Sequence, residues 1–344
     1  MAITKPAKLE RKNTVAIANP TGHIPERFNC QIKYSLEYLT KEGYATLNYL
    51  KQSGRAESFN KAAQNPNVKA IFPIGGNLNT KDILRLIDYE SYAQNKPIFV
   101  TYSSGSSLLL ALHQKSGAIN FYGPHMAFLN DKSSYKEQTY TVASFWNMLT
   151  AKDHKRGLGS KLKSFAFQGS DKNNLQLKNL YFHKPNLDPE IKFYGYKEET
   201  EITGRLLAST LQSILDCFES GYEIGIEGKI LLVDSIDTGF EEAYKIIRRL
   251  NEISNLKSLN ALLVSSLTSR KDRITKDLSE LKNPNKRENF IKSLRILLNN
   301  NTPVVYGFPC GHSRYKLTIP NGLPAKLKLS TGDIALLSSP TSNP

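Results

Sequence analysis

FVTYSSGSSLLL, residues 99–110, carries an apolar, β-type run into a Ser-Gly turn and then into a leucine-rich helical start. Strand, sharp turn and helix in that order describe a nucleophile elbow, which lifts a serine hydroxyl out of the sheet. Thr101-Tyr102-Ser103-Ser104-Gly105 is the G-x-S-x-G arrangement with Thr in place of the first Gly, so Ser103 is the candidate nucleophile. Outward from this point, apolar runs at Thr14–Ala18, 69–73 and Ile98–Thr101 alternate with helix-like stretches beginning near Arg27, Arg55 and Lys81. Strands separated by helices predict an α/β fold with a parallel sheet covered on both faces. Ligands of such sheets sit at the carboxyl ends of the strands. The turns Asn19-Pro20-Thr21-Gly22, Gly75-Gly76-Asn77 and the Ser103 turn each follow a strand.

A chain of 344 residues predicts two domains, because single cores seldom grow beyond about 250–300 residues. Residues 1–150 form the first and carry the nucleophile. Residues 151–197, rich in Lys, Asn, Gly and Ser, read as crossover and loops, and residues 198–344 form the second domain. There the pattern predicts a helix over 204–219, strands at 229–233, Ala261–Ser265 and 303–306, a charged helix over 277–298, and a loose tail, SSPTSNP.

The chain is 40% hydrophobic and 22% charged, with no apolar run of the ~18 residues that a membrane span needs, so no membrane association is expected. The N-terminal MAITKPAKLERKN lacks the apolar core of a secretory signal, and a cytoplasmic location is expected. Cys30, Cys217 and Cys310 are far apart, with no CxxC pair to point to zinc or a disulfide framework, although Cys310 lies two residues from His312. The net charge of +15 is spread along the chain without a nucleic-acid-binding motif. It reads as a solvated basic surface that favours anionic small substrates rather than a specific nucleic-acid partner.

A serine nucleophile needs a base, and His312 follows the strand-and-turn segment PVVYGFPCGH. His23 and His125 also follow strand-like segments and compete for the role, while His113, His154 and His183 read as helix-surface or loop residues. The base in turn needs a carboxylate. Asp234, at the end of the apolar run KILLV, is the best placed, although a strand-terminal acid also reads as a helix N-cap. The Gly75-Gly76 turn could supply backbone N–H groups to an oxyanion, cradle a phosphate, or be a tight turn only. No G-x-G-x-x-G occurs, which argues against a dinucleotide site. The single tryptophan, Trp146, could stack on a nucleobase, but its SFWNML setting favours helix core.

Taken in order, NPTG, IGGN, TYSS followed by FYGP, EGKILLVD, and FPCGH with TIPNG resemble the LD-carboxypeptidase family of serine peptidases, which includes the microcin C immunity proteins. The resemblance runs from about Thr14 to Leu329. It implies a Rossmann-like parallel-sheet N-terminal domain, a smaller β-rich α/β C-terminal domain, and a site between them. It further implies a triad of Ser103, His312 and Asp234, with Thr318, Pro320 and Gly322 keeping the pattern that follows the family histidine. The oxyanion donors would be the N–H groups of Gly76 and Ser104, and Gly75 and Asn77 would contact substrate. No metal or organic cofactor and a homodimer are implied.

Two positions depart from the family pattern. Ser104 replaces the acid that follows the nucleophile, and Asp234 is one methylene, about 1.5 Å, shorter than the usual Glu. The implied activity is amide hydrolysis, of a peptide-nucleotide as in microcin immunity or of a murein tetrapeptide. The IGGN turn and Asp88-Tyr89 lean towards the microcin-immunity branch. The two departures define the alternative, a catalytically silent member of the fold that acts as a binding protein.

Overall fold

The computed structural model describes residues 3–22, 29–50, 54–76, 78–129, 135–150, 174–175, 192–194, 200–265, 267, 281, 283–313, 316–329 and 333–343. In the first half, β1 (Thr14–Ala18), β2 (Ala45–Asn48), β3 (Val68–Pro73), β4 (Ile98–Thr101) and β5 (Asn120–Tyr122) pair in parallel in the order β2-β1-β3-β4-β5. Around them run α1 (Asn29–Lys41), α2 (Arg55–Gln64), α3 (Tyr89–Asn95), α4 (Ser106–Ser116), α5 (Met126–Leu129) and α6 (Tyr135–Leu149). Every residue of β4 and β5, and all but the first of β1, is buried. That is why these strands read as continuous apolar runs rather than alternating ones. Strand order reverses between β1 and β3, so the turns after these strands flank a crevice at the carboxyl edge.

The second half contributes β6 (Asn174–Leu175), β7 (Lys192–Tyr194), β8 (Glu201–Thr210), β9 (Lys229–Asp234), β10 (Ala261–Ser265) and β11 (Val304–Phe308), then β12 (Ile319–Asn321), β13 (Pro324–Lys328) and β14 (Asp333–Leu336). Its helices are α7 (Leu211–Glu219), α8 (Phe240–Ser254) and α9 (Pro284–Leu297). Eight of these strands form a mixed sheet, β6-β14-β13-β8-β9-β10-β11-β7, whose centre, β8 to β11, is parallel. The ninth strand, β12, crosses back and pairs antiparallel with β5, with Pro320 opposite Phe121. A proline is tolerated there because β12 is an edge strand. The next residues tie this edge to the second sheet: Ala208 N donates to Asn321 Oδ1 (2.7 Å), and Gly322 N donates to the Leu206 carbonyl (2.7 Å). The whole is an α/β fold of two mixed sheets joined through β12.

The predicted helix over 204–219 is instead strand β8 followed by α7. Leu206, Leu207 and Ala208 have helical propensity, but they lie between β9 and β13 in the middle of a sheet, where packing overrides propensity. Thr210 ends the strand and caps the helix, accepting from Ser213 N at 3.2 Å. The charged helix begins at Pro284 behind an Asn283 cap, within the predicted 277–298. The tail is not loose: Thr341 is buried and Ser342 exchanges backbone hydrogen bonds with Pro6 and Lys8. No described helix is long and apolar enough to cross a membrane.

Candidate active site

Ser103 follows the last residues of β4, and its backbone adopts a left-handed conformation with φ +55°. A non-glycine residue in that region is strained, as an elbow requires. Gly105 closes the turn: a Cβ there would fall on Thr101 Oγ1, so a side chain would force α4 away from β4. Thr101, in the position of the usual first glycine, is fully buried and its Oγ1 hydrogen-bonds with His125 Nε2 at 2.8 Å.

Asp234 and His312 arrive from the second sheet. Asp234 is the last residue of β9, and His312 lies in the turn after β11. Both strands run parallel to β10 between them, so the two residues share one carboxyl edge. His312 Nδ1 lies 2.5 Å from Asp234 Oδ2, and His312 Nε2 lies 2.9 Å from Ser103 Oγ. Because an ionised carboxylate only accepts, Nδ1 carries the proton, and Nε2 presents its lone pair to the Ser103 hydroxyl.

The reach lost by having Asp rather than Glu is recovered by the backbone. His312 N also donates to Asp234 Oδ2 at 2.9 Å. Gly311, at φ +58°, brings its backbone so close that a Cβ would overlap the Asp234 carboxyl. Asp234 does not cap a helix, since α8 begins behind Gly239.

Asp234 is wholly buried, and its second oxygen, Oδ1, accepts from the Tyr122 hydroxyl at the end of β5. Burial first, and then the Asp234 charge, hold the Tyr122 pKa well above its ordinary value, so it remains a donor. In the sequence Tyr122 stands within FYGP with nothing to assign it a role. Its only signal was a hydroxyl at the end of a buried strand beside the elbow. Tyr122→Phe strips this buried acceptor of its partner and is expected to cost about 2–3 kcal/mol of stability by urea unfolding. A cost below about 0.5 kcal/mol would show that the bond is not maintained in solution.

His125 is buried and faces Thr101 rather than Ser103. Burial, reinforced by neighbouring His312, pushes its pKa down to about 3. The Tyr102 ring lies between the two imidazoles, 4.8 Å from His125 and 5.1 Å from His312. Below pH 6.5 the unfolded chain protonates His125 while the folded chain does not, so the contribution is whole above pH 6.5 and is lost as pH falls. Between pH 7.5 and 5.0 folding is expected to weaken by about 2 kcal/mol on this account. Urea unfolding at the two pH values should show that loss in the parent and not in His125→Gln; equal losses would contradict it.

His113 is half-buried on α4, bonded through Nδ1 to the Ala118 carbonyl at 3.0 Å, and packed where a Cβ on Gly322 would strike its ring. His23, His154 and His183 lie outside the described residues. Cys310 is buried, and burial together with the Asp234 charge holds its thiol protonated, well above the usual value. Trp146 is core: it stacks on Tyr44 at 5.3 Å and donates Nε1–H to Tyr38 Oη at 2.7 Å. Asp88 caps α3, accepting from Ser91 N at 2.9 Å.

The Gly75-Gly76 turn sits beside the elbow. Ser104 Oγ donates to the Gly76 carbonyl at 3.3 Å, and Thr21 Oγ1 donates to the Gly75 carbonyl at 2.5 Å. Gly76 has φ +135°, and a Cβ there would meet the Thr21 carbonyl, so the NPTG and glycine turns interlock only through glycine. Among the described residues, nothing lies within 4 Å of where a Cβ on Gly75 would sit. Asn77 lies outside the described residues. Among the described residues, no group of three or more His, Cys, Asp or Glu side chains is arranged to hold a metal ion.

Residues 2–123 match the family model of the LD-carboxypeptidase N-terminal domain, and residues 203–327 match that of the LD-carboxypeptidase C-terminal domain. The chain belongs to the LD-carboxypeptidase family. The microcin C7 self-immunity protein MccF of Escherichia coli is 26% identical over 293 residues, 82% of this chain and 77% of MccF. A Bacillus subtilis protein named "Probable murein peptide carboxypeptidase" is 23% identical over 347 residues, 96% of this chain and 92% of its own.

Among solved structures, MccF in complex with aspartyl sulfamoyl adenosine matches with a TM-score of 0.74 at 18% identity, covering 98% of this chain and 100% of that one. A muramoyltetrapeptide carboxypeptidase from Oxalobacter formigenes matches at 0.69 and 22%, covering 94% and 97%. At these identities the structural likeness speaks to fold, which is that of the LD-carboxypeptidases.

Proposed function

We propose that this chain is a serine amide hydrolase of the carboxypeptidase type, with Ser103 as nucleophile, His312 as general base and acid, and Asp234 as the carboxylate that orients His312. The observation that carries the proposal is the continuous relay from Ser103 Oγ through His312 to buried Asp234, with spacings of 2.9 and 2.5 Å. His312 Nε2 takes the Ser103 proton as Oγ bonds to the scissile carbonyl carbon. The N–H groups of Gly76 and Ser104 receive the developing oxyanion, a role supported by the contact between their two turns. The intermediate collapses as His312 returns the proton to the leaving amine, and the C–N bond breaks. Water then repeats the sequence on the ester, giving a carboxylate and free Ser103.

For substrate we favour an amide bearing an acidic aminoacyl group and a nucleoside-like part. MccF structures hold aspartyl sulfamoyl adenosine and glutamyl sulfamoyl guanosine, and a net charge of +15 favours anionic ligands. The space at Gly75 would take part of the ligand, and Asn77, outside the described residues, is a second proposed substrate contact. The division into lobes at residues 1–150 and 198–344, cytoplasmic residence and a homodimer belong to the same proposal. Mass spectrometry of the protein mixed with aspartyl sulfamoyl adenosine or with a murein L,D-tetrapeptide tests it. Release of aspartate identifies the favoured substrate, release of terminal D-alanine identifies the murein alternative, and no cleavage of either counts against a hydrolase of this family's type.

A further inference from the structure

Away from the Ser103 relay, a second buried carboxylate joins the two halves of the fold. Asp216 lies on α7 and is 1% exposed. It accepts from Asn79 Nδ2 on Oδ2, and on Oδ1 from Lys81 Nζ at 3.3 Å and Gln212 Nε2 at 3.1 Å. Gln212 belongs to α7 itself. Asn79 and Lys81 belong to the first half, in the segment that leads from the Gly75-Gly76 turn.

Asn79 is held on its other sides as well. Its Oδ1 accepts from Lys81 N at 2.9 Å and from Ser107 Oγ at 3.2 Å, and its carbonyl accepts from Arg55 at 2.9 Å. The next residue, Thr80, donates to the Ser104 carbonyl at 3.1 Å and accepts from Leu108 N at 2.9 Å. Ser104 Oγ donates to the Gly76 carbonyl. A contiguous series of bonds therefore runs from α7 through Asn79, Thr80 and Ser104 to Gly76.

We propose that Asp216 is a positioning residue: delivered by the C-terminal half, its carboxylate fixes Asn79 and thereby sets the spacing between the Gly76 turn and the Ser103 elbow. The proposal rests on Gly76 and Ser104 being the oxyanion donors. Such donors must lie about 2.7–3.1 Å from the oxyanion, so a slack turn misplaces one of them. A misplacement of about 1 Å is enough to cost about 10²-fold in rate. A carboxylate also suits this role better than a neutral acceptor, because it grips two donors from the opposite half on its two oxygens.

The test compares the parent, Asp216→Ala, Asn79→Asp and the exchanged pair Asn79→Asp/Asp216→Asn by amide hydrogen exchange, together with steady-state kinetics on the amide that the parent cleaves. Asn79→Asp sets two carboxylates against each other, and the exchanged pair restores one donor facing one acceptor. Exchange across residues 75–82 and 103–108 is expected to quicken about 10-fold in both single variants while β9 to β11 keep their protection. In the same variants kcat is expected to fall about 10- to 100-fold with KM within about threefold, and the exchanged pair to recover most of both. Unchanged exchange in 75–82 would overturn the proposal. So would a raised KM with kcat kept, or a uniform loss of protection, which would mean that Asp216 only stabilises the fold. Exchange needs no substrate: a parent that cleaves nothing refutes the hydrolase, and the exchange comparison still decides the role of Asp216.

Discussion

Ser103→Ala, His312→Ala and the double variant are each expected to lower kcat by about 10⁶-fold, with the double scarcely worse than either single change. The near-equality follows from the geometry. Among the described residues the hydroxyl has one proton acceptor within reach, His312 Nε2 at 2.9 Å, and on the proposed mechanism the imidazole has one task, to move that proton. Either loss leaves only binding and the oxyanion donors, which together still accelerate the reaction about 10³–10⁴-fold over water. Ligand binding should survive in Ser103→Ala, with calorimetric affinity within about threefold of the parent, since removing one oxygen takes away little contact area. Single-turnover product release measures the rates. A double variant whose loss is the product of the two single losses would show that Ser103 and His312 act independently.

Asp234→Asn is expected to lower kcat by about 10⁴-fold while leaving the fold intact. The carboxylate accepts from His312 Nδ1, from His312 N and from the Tyr122 hydroxyl, and this set of donors fixes the imidazole tautomer. An amide turned to keep the Tyr122 bond sets its NH2 in the place of Oδ2, giving up the bond from His312 N and presenting N–H to Nδ1. The ring then carries its proton on Nε2, facing Ser103, where it cannot accept another. Thermal unfolding within a few degrees of the parent, with kcat reduced and KM little changed, is the expected pattern. Activity within about tenfold of the parent would mean that Asp234 does not select the tautomer.

Much of the frame was legible because burial on both faces leaves a plain mark. Thr14–Ala18, Ile98–Thr101 and Ala261–Ser265 are unbroken apolar runs closed by turn residues, and the observed strands have the same bounds. β2, mostly exposed, carries no such mark, and β12 is three residues long and finds its partner in the other half of the chain. Ser103 was legible from local chemistry alone, as a serine between a strand and a helix. The approach of His312 to Asp234 was not, because it depends on β9 and β11 flanking β10 in register, across 78 residues of sequence. Nor could spacing reveal that Gly311 lies against the Asp234 carboxyl, or that Asp216 reaches across to Asn79, since both are products of packing between elements distant in sequence.

The central claim is that Ser103 attacks the substrate carbonyl. It is tested most directly by acid-quenching the protein during turnover and mapping its peptides by mass spectrometry, with Ser103→Ala alongside. The expected result is an acyl mass increment on the peptide containing Ser103, with both the increment and product release absent from Ser103→Ala. Product released at the parent's rate by Ser103→Ala, with no increment on that peptide in either protein, would contradict it.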